Sequence, residues 1–235
     1  MTEHQIEVLE DPAAVHSRGA DLIAEAAHDA VAERGSFALA ASGGRDPWEM
    51  YGQLEDRELP WGSTAIFQVD ERIAPPGSDQ RNLTHLIASL SIGAQGSIKP
   101  MPVNDPDPGA AADRYAESLP EALDLAHLGL GPDGHTASLV PGDPVLEVTD
   151  KRVAVTSGEY QGVRRMTLTL PELARTRRLL WIITGEEKRE PLAKLLAGDP
   201  SIPAGRVEPE CSLIRQLSPG PARRRDRRGS VSPAS

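Results

Sequence analysis

A single cysteine, Cys211, stands among 235 residues, so no internal disulfide can form and a thiolate-rich zinc site is excluded. That usage fits a reducing compartment, and Cys211 is expected to be inert. Aromatic residues make up only 3% of the chain, too few for a base-stacking nucleic-acid surface or an aromatic ligand cage. Positive charge is in deficit as well: 25 Lys and Arg face 35 Asp and Glu, a formal net charge of −10. That balance repels phosphate backbones and anionic membranes, so an anionic ligand needs a local basic pocket working against the global field. No apolar run approaches the roughly 20 residues that cross a bilayer. The N-terminal stretch MTEHQIEVLEDPAAV lacks the basic and apolar regions of a signal peptide. The expectation is a soluble, cytoplasmic protein with no nucleic-acid and no membrane partner.

What is present suffices for one sizeable core. Hydrophobic residues make up 39% of the chain, and the length suits one large α/β domain or two small ones. No fixed-period repeat and no internal linker rich in Pro, Gly or Ser divides it, so one domain over residues 1–217 is the simpler reading. Residues 218–235, SPGPARRRDRRGSVSPAS, carry a net charge of +4 and leave −14 for residues 1–217. With Val231 as its only large apolar residue, this tail buries too little surface to offset its ordering entropy and is expected to be a disordered, solvated terminus.

Hydrophobic periodicity predicts a long helix over Pro12–Arg34, stopped by Gly35. The short apolar run SFALAA then ends in Ser42-Gly43-Gly44, after which Asp46-Pro47 opens a second helical stretch. The rhythm of strand, polar turn and helix returns at Thr64–Val69, at Ala122–Leu130 and at Arg178–Thr184, with Lys151–Thr156 as a further strand. Strands alternating with helices imply an α/β fold: one doubly wound, mostly parallel sheet with helices on both faces, a modified Rossmann-like arrangement.

In open parallel sheets ligands bind beyond the carboxyl ends of the strands, so the turns that follow strands are the places to search. Ser42, Gly43 and Gly44 put a hydroxyl and free amides at a helix start, where phosphate binds readily. Asp46 would cap that helix but repel a phosphate on the same amides. The turn Asp70-Glu71-Arg72 sets three charges after an apolar strand: either they face a crevice, where Arg72 offers a bidentate fork to phosphate, or they pair with one another. Gly129, Gly131 and Gly134 formally spell G-x-G-x-x-G, but Pro132 within the run and Pro141-Gly142 beyond it leave no room for the helix a dinucleotide site requires. The same loop sets Asp133 two residues before His135. Imidazole is a suitable general base at neutral pH, and a nearby carboxylate can fix its tautomer. His4, His16, His28, His85 and His127 read as structural or exposed. No G-x-S-x-G elbow supports a Ser-His-Asp hydrolase, and no H-x-x-x-H or H-E-x-x-H spacing supports a metal, so the base is expected to act on water. Lys188, four residues after Thr184, can add a second positive charge to an anion site.

In this order the segments resemble the 6-phosphogluconolactonases, a branch of the glucosamine-6-phosphate isomerase/deaminase-like superfamily. The S-G-G of that family is met by Ser42-Gly43-Gly44, its D-E-R by Asp70-Glu71-Arg72 and its following asparagine by Asn82. Its G-x-G-x-D-G-H-T-A-S-L-x-P-G runs unbroken from Gly129 to Gly142, its R-x-T-L-T-x-P from Arg165 to Pro171, and its T-G-x-x-K from Thr184 to Lys188. The resemblance covers roughly residues 8–205. It implies hydrolysis of 6-phospho-D-glucono-1,5-lactone to 6-phosphogluconate in the oxidative pentose phosphate pathway, with no metal and no cofactor. It also implies that His135 activates water, that Asp70 and Asp133 orient polar groups, and that Arg72 and Lys188 bind the 6-phosphate with the Ser42-Gly43-Gly44 amides and Arg165. Two departures stand out. Asp46 replaces a threonine, so no phosphate contact carries over to that position. Beyond Pro203 the family's strand and closing helix give way to Glu208-Pro209-Glu210-Cys211 and the Arg-rich tail, so the last helix is expected to be missing.

Two other functions compete. An amino-sugar-phosphate isomerase or deaminase needs a carboxylate soon after the histidine, and the stretch from Thr136 to Pro141 has none. A non-catalytic sugar-phosphate sensor would carry a DNA-binding helix-turn-helix, and none precedes Pro12. The partner expected is a small sugar-phosphate lactone, the assembly a monomer or weak dimer.

Overall fold

A carboxylate followed by proline sets the first long element. In the computed structural model, which describes residues 4–207 and 211–216, helix α1 (Pro12–Arg34) begins where Asp11 accepts a hydrogen bond from the Ala14 amide at 2.8 Å. It ends at Gly35, whose φ of +77° lets its amide close back on the Val31 carbonyl. The strands are β1 (His4–Leu9), β2 (Phe37–Ala41), β3 (Thr64–Gln68), β4 (Asp70–Arg72), β5 (Ile98–Lys99), β6 (Leu125–Leu128), β7 (Val153–Val155), β8 (Arg165–Leu168), β9 (Leu179–Ile183) and β10 (Cys211–Gln216). The remaining helices are α2 (Arg45–Gly52), α3 (Asn82–Ser89), α4 (Ile92–Gln95), α5 (Pro108–Ser118), α6 (Leu170–Ala174) and α7 (Arg189–Leu196).

Seven strands form one all-parallel sheet in the order β1-β10-β9-β6-β2-β3-β5. Its central strands are buried on both sides, as continuous apolar runs such as FALAA and LLWII require. The pleat sends alternate residues to opposite layers. Phe37, Leu39, Ala41, Leu125, Leu180 and Ile182 pack with α1, α2 and α3, whereas Ala38, Ala40, Ala126, Leu128, Leu179 and Trp181 pack with α5 and α7. The doubly wound α/β fold is therefore present. The chain steps outward from β2 through β3 to β5 in one direction and from β6 through β9 to β10 in the other. This places the topological switch point, where such sheets bind ligands, between the carboxyl ends of β2 and β6.

The structure departs from the sequence expectation in one region. Asp70-Glu71-Arg72 is a short strand rather than a turn, and with β8 and β7 it forms a separate three-stranded antiparallel sheet. The run predicted at Lys151–Thr156 supplies β7 of this small sheet, not a member of the parallel one. Its apolar alternation reports that it is a half-buried strand but not which sheet it joins. β10 supplies a strand beyond Pro203, between β1 and β9. The predicted disordered tail, the closing helix and the side chain of Cys211 lie outside what is described. Among the described residues no helix is long and apolar enough to cross a membrane.

Candidate active site

The loop after β2 opens the site. Gly44 stands at the start of α2 with φ +132° and no side-chain cap, and among the described residues the Gly43 and Gly44 amides have no protein acceptor. A Cβ on Gly43 would lie 1.9 Å from Asn82 Oδ1, so only glycine lets α3 approach this loop. Asp46 does not cap the helix. Its carboxylate turns instead to His16 Nε2 at 3.2 Å and to the Thr184 hydroxyl, which donates to it, tying α2 to α1 and to the end of β9.

Strand β4 supplies the next groups. Asp70, 5% exposed, accepts from the Ser138 hydroxyl at 2.5 Å and from Asn82 Nδ2 at 3.2 Å. Arg72 lies directly opposite Arg165 of β8 in the antiparallel register. Like charges so placed repel, and among the described residues neither makes an ion pair. The Arg72 guanidinium reaches the Gln80 carbonyl, and that of Arg165 reaches the Tyr160 carbonyl and Gln161, while the buried Nε of each has no partner among the described residues. Burial pushes the Arg165 guanidinium below its ordinary value, Asp70 opposes this, and Arg72 adds to it. One buried and one half-buried cation, both short of acceptors, have the chemistry to receive an anion. The alternative reading of a strand-end ion pair applies elsewhere: the carboxylate of Glu71 faces away from the cleft and pairs with Arg81 at 3.0 Å.

The glycine loop beyond β6 carries the titratable pair. The Gly131 amide donates to the His135 carbonyl at 2.8 Å, which folds the loop back on itself. A Cβ on Gly131 would sit 2.0 Å from His135 Nδ1, so glycine there is what admits the ring. Nδ1 meets Asp133 Oδ1 at 2.5 Å, and the same oxygen accepts from the His135 amide at 3.1 Å. Burial opposes the Asp133 charge, but these hydrogen bonds prevail and hold its carboxyl below the usual carboxylate range. With Nδ1 so engaged, Nε2 is the nitrogen left to act as base. Tyr160 packs its ring against His135 at 5.2 Å and carries the Arg165 guanidinium over its face at 5.0 Å. No helix follows Gly134 within the loop, in accord with rejection of a dinucleotide fingerprint.

Ser42, Gly43, Gly44, Asp70, Arg72, His135, Arg165 and Lys188 all line a single cleft of about 450 Å³ at the switch point. Asp133 stands behind His135 rather than in the lining. Lys188 comes from a short 3-10 turn before α7 and has no carboxylate partner among the described residues. One contribution stood in the sequence only as the end of the first glycine turn, with no role of its own, and two more were not singled out. Arg45 lines the cleft beside Gly44. Tyr160 bridges the imidazole and Arg165, and no local pattern announced it. His127, read as an ordinary strand residue, is fully buried with Nδ1 2.7 Å from the Ser42 hydroxyl; a lone polar side chain in the apolar run LAHL was the available signal. No group of three or more His, Cys, Asp or Glu among the described residues is placed to hold a metal ion.

The chain is similar to known proteins. Residues 10–215 match the family model for glucosamine-6-phosphate isomerases/6-phosphogluconolactonase. A 6-phosphogluconolactonase of Nostoc sp. is 31% identical over 89% of this chain and 93% of its own, and one of Synechocystis sp. is 33% identical over the same shares. The crystal structure of a 6-phosphogluconolactonase from Thermotoga maritima superposes with a TM-score of 0.81 at 29% identity, covering 91% of this chain and 99% of that one. A monomeric glucosamine-6-phosphate deaminase, 18% identical with a TM-score of 0.76, shares the fold alone. With the cleft, its cations and its imidazole in place, the chain belongs to the glucosamine-6-phosphate isomerase/6-phosphogluconolactonase family.

Proposed function

We propose that this protein hydrolyses 6-phospho-D-glucono-1,5-lactone to 6-phosphogluconate, the lactone-opening step of the oxidative pentose phosphate pathway. The observation that carries this reading is the sharing of one cleft by His135 and by the unpaired guanidinium groups of Arg72 and Arg165, with Lys188 on its rim. A remote dianion held by these cations fixes the sugar ring, and fixed orientation removes much of the entropic barrier to attack.

His135 Nε2 takes a proton from water, which adds to the lactone carbonyl carbon. The negative charge that develops on the carbonyl oxygen is met by backbone N–H donors of the glycine loops. Collapse of the tetrahedral species breaks the bond to the ring oxygen, which receives the proton from the imidazolium. Asp133 keeps the hydrogen on Nδ1 and stabilises the transient imidazolium. Asp70, fully engaged with Ser138 and Asn82, holds the loop and strand in register and balances Arg165. The stretch from Thr136 to Pro141 offers no carboxylate for sugar ring opening, so a deaminase reading gains no support.

The test is the decay of freshly made lactone followed with purified protein. The rate should exceed the spontaneous one by orders of magnitude; a rate equal to the spontaneous one removes the assignment.

A further inference from the structure

Beneath the Ser42 side of the cleft lies a buried polar cluster that the proposed chemistry does not use. His127 of β6 is wholly inaccessible, with Nδ1 2.7 Å from Ser42 Oγ and 3.1 Å from the Tyr51 hydroxyl, while its Nε2 has no partner among the described residues. Tyr51, on α2, donates to the Ser42 carbonyl at 3.3 Å. Burial pushes the His127 imidazole down to about 3, with Asp46 opposing, so the ring is neutral at working pH and carries one hydrogen on one nitrogen.

The contacts decide which nitrogen. A hydrogen on Nε2 would be a buried donor with no acceptor, a costly and rare state, whereas a bare Nε2 lone pair is less so. With the hydrogen on Nδ1, every contact has a donor and an acceptor. Nδ1–H points to Ser42 Oγ, the Tyr51 O–H points to the Ser42 carbonyl, and the Ser42 hydroxyl hydrogen is free of the imidazole, able to rest on the Tyr51 oxygen and to turn to an acceptor bound in the cleft that Ser42 lines. A phosphate dianion has acceptors only, so this hydrogen decides whether Ser42 attracts or repels it. The opposite tautomer would turn the Ser42 hydrogen inward and present lone pairs to the ligand.

The geometry points to His127 as a positioning residue that fixes the Ser42 hydroxyl as a donor to the phosphate of the substrate, a role that rests on the sugar-phosphate reading above. His127 touches no ligand and acts through Ser42.

Steady-state kinetics of the full chain on the phosphorylated lactone and on unphosphorylated glucono-1,5-lactone test this. His127→Leu should lower the ratio of the two kcat/KM values about tenfold, through KM for the phosphorylated compound, as loss of one hydrogen bond to a charged group does. His127→Asn, whose amide can place an N–H near the position of Nδ1, should restore most of the ratio. Ser42→Ala should match His127→Leu, and the double variant should be no worse than either, because one residue acts through the other. Additive losses, or an equal loss on both lactones, would overturn the role. Nitrogen-15 spectra of the wild-type rings supply a readout independent of folding in the variants: a protonated Nδ1 on His127 is expected, and a protonated Nε2 refutes the scheme. Should wild type leave both lactones untouched, the functional reading falls, while this tautomer and the affinity of wild type and Ser42→Ala for inorganic phosphate still judge the positioning role.

Discussion

Strand β4 carries three consecutive charges, and the pleat sends them to two environments with opposite design. Behind the strand, Glu71 is fully buried and saturated: it accepts from the Arg72, Asn82 and Leu83 amides and from Gln68, and it pairs with Arg81. Arg81 Nη1 in turn reaches the Ala74 carbonyl and Asn104, while its Nε is held by the ion pair with Glu71 rather than by an aligned hydrogen bond. In front, Arg72 faces Arg165 across the small sheet, and among the described residues neither pairs with a carboxylate as Arg81 does. The saturated side holds the fold, capping the start of α3. The unsaturated side leaves its donors directed at the cleft. Burial alone does not separate structural from functional charge; the state of its partners does.

The largest effect should follow from breaking the saturated side. Glu71→Gln leaves Arg81 buried without its counter-charge and is expected to cost about 3–5 kcal/mol of unfolding free energy by denaturant titration. A loss under about 1 kcal/mol would mean that the two sides of β4 do not differ as described. On the cleft side, His135→Ala should lower kcat by roughly 10²-fold or more with little change in melting temperature; activity equal to wild type excludes the base role.

Arg72→Ala sharpens the contrast further. It should raise KM for the phosphorylated lactone about tenfold while stability stays within about 1 kcal/mol of wild type, because it relieves repulsion from Arg165 as it removes an anchor. Destabilisation as severe as that of Glu71→Gln would assign Arg72 to the structural side instead.

The remaining effect is a pH dependence, spread over several pH units rather than read at one condition. His127 sits at about 3 in the folded chain, against an unfolded imidazole of about 6.5. The unfolded chain therefore binds a proton that the folded chain refuses, so stability is full above about 6.5 and falls as pH drops from there toward 3. The slope from this one group is at most about 1.4 kcal/mol per pH unit. His127→Asn should flatten the curve over that window in urea titrations; an unchanged slope would show that the ring is protonated in the folded state.

Much of this was legible in the linear chain. Pro12 and Gly35 bounded α1 to the residue, and apolar runs between turn residues located β2, β3, β6 and β9. The G-P-D-G-H loop announced its imidazole and carboxylate because that pair is two residues apart and its geometry is local. The charges of β4 were visible as charges only. Their division between core and cleft depends on strand pairing with β8, which residues 70–72 do not encode by themselves. Asp46 was read against the helix it begins, but its partners His16 and Thr184 come from α1 and the end of β9.

The sequence by itself determined the alternation of strand and helix, the glycine turns and the chemical types gathered at them, since periodicity, capping and turn conformation act over a few residues. Only the tertiary structure decided that Arg72 would face Arg165, that Glu71 would be saturated while its neighbours were not, and that His127 would stand beneath Ser42. Those outcomes depend on sheet order and register, which are settled by the packing of segments distant along the chain.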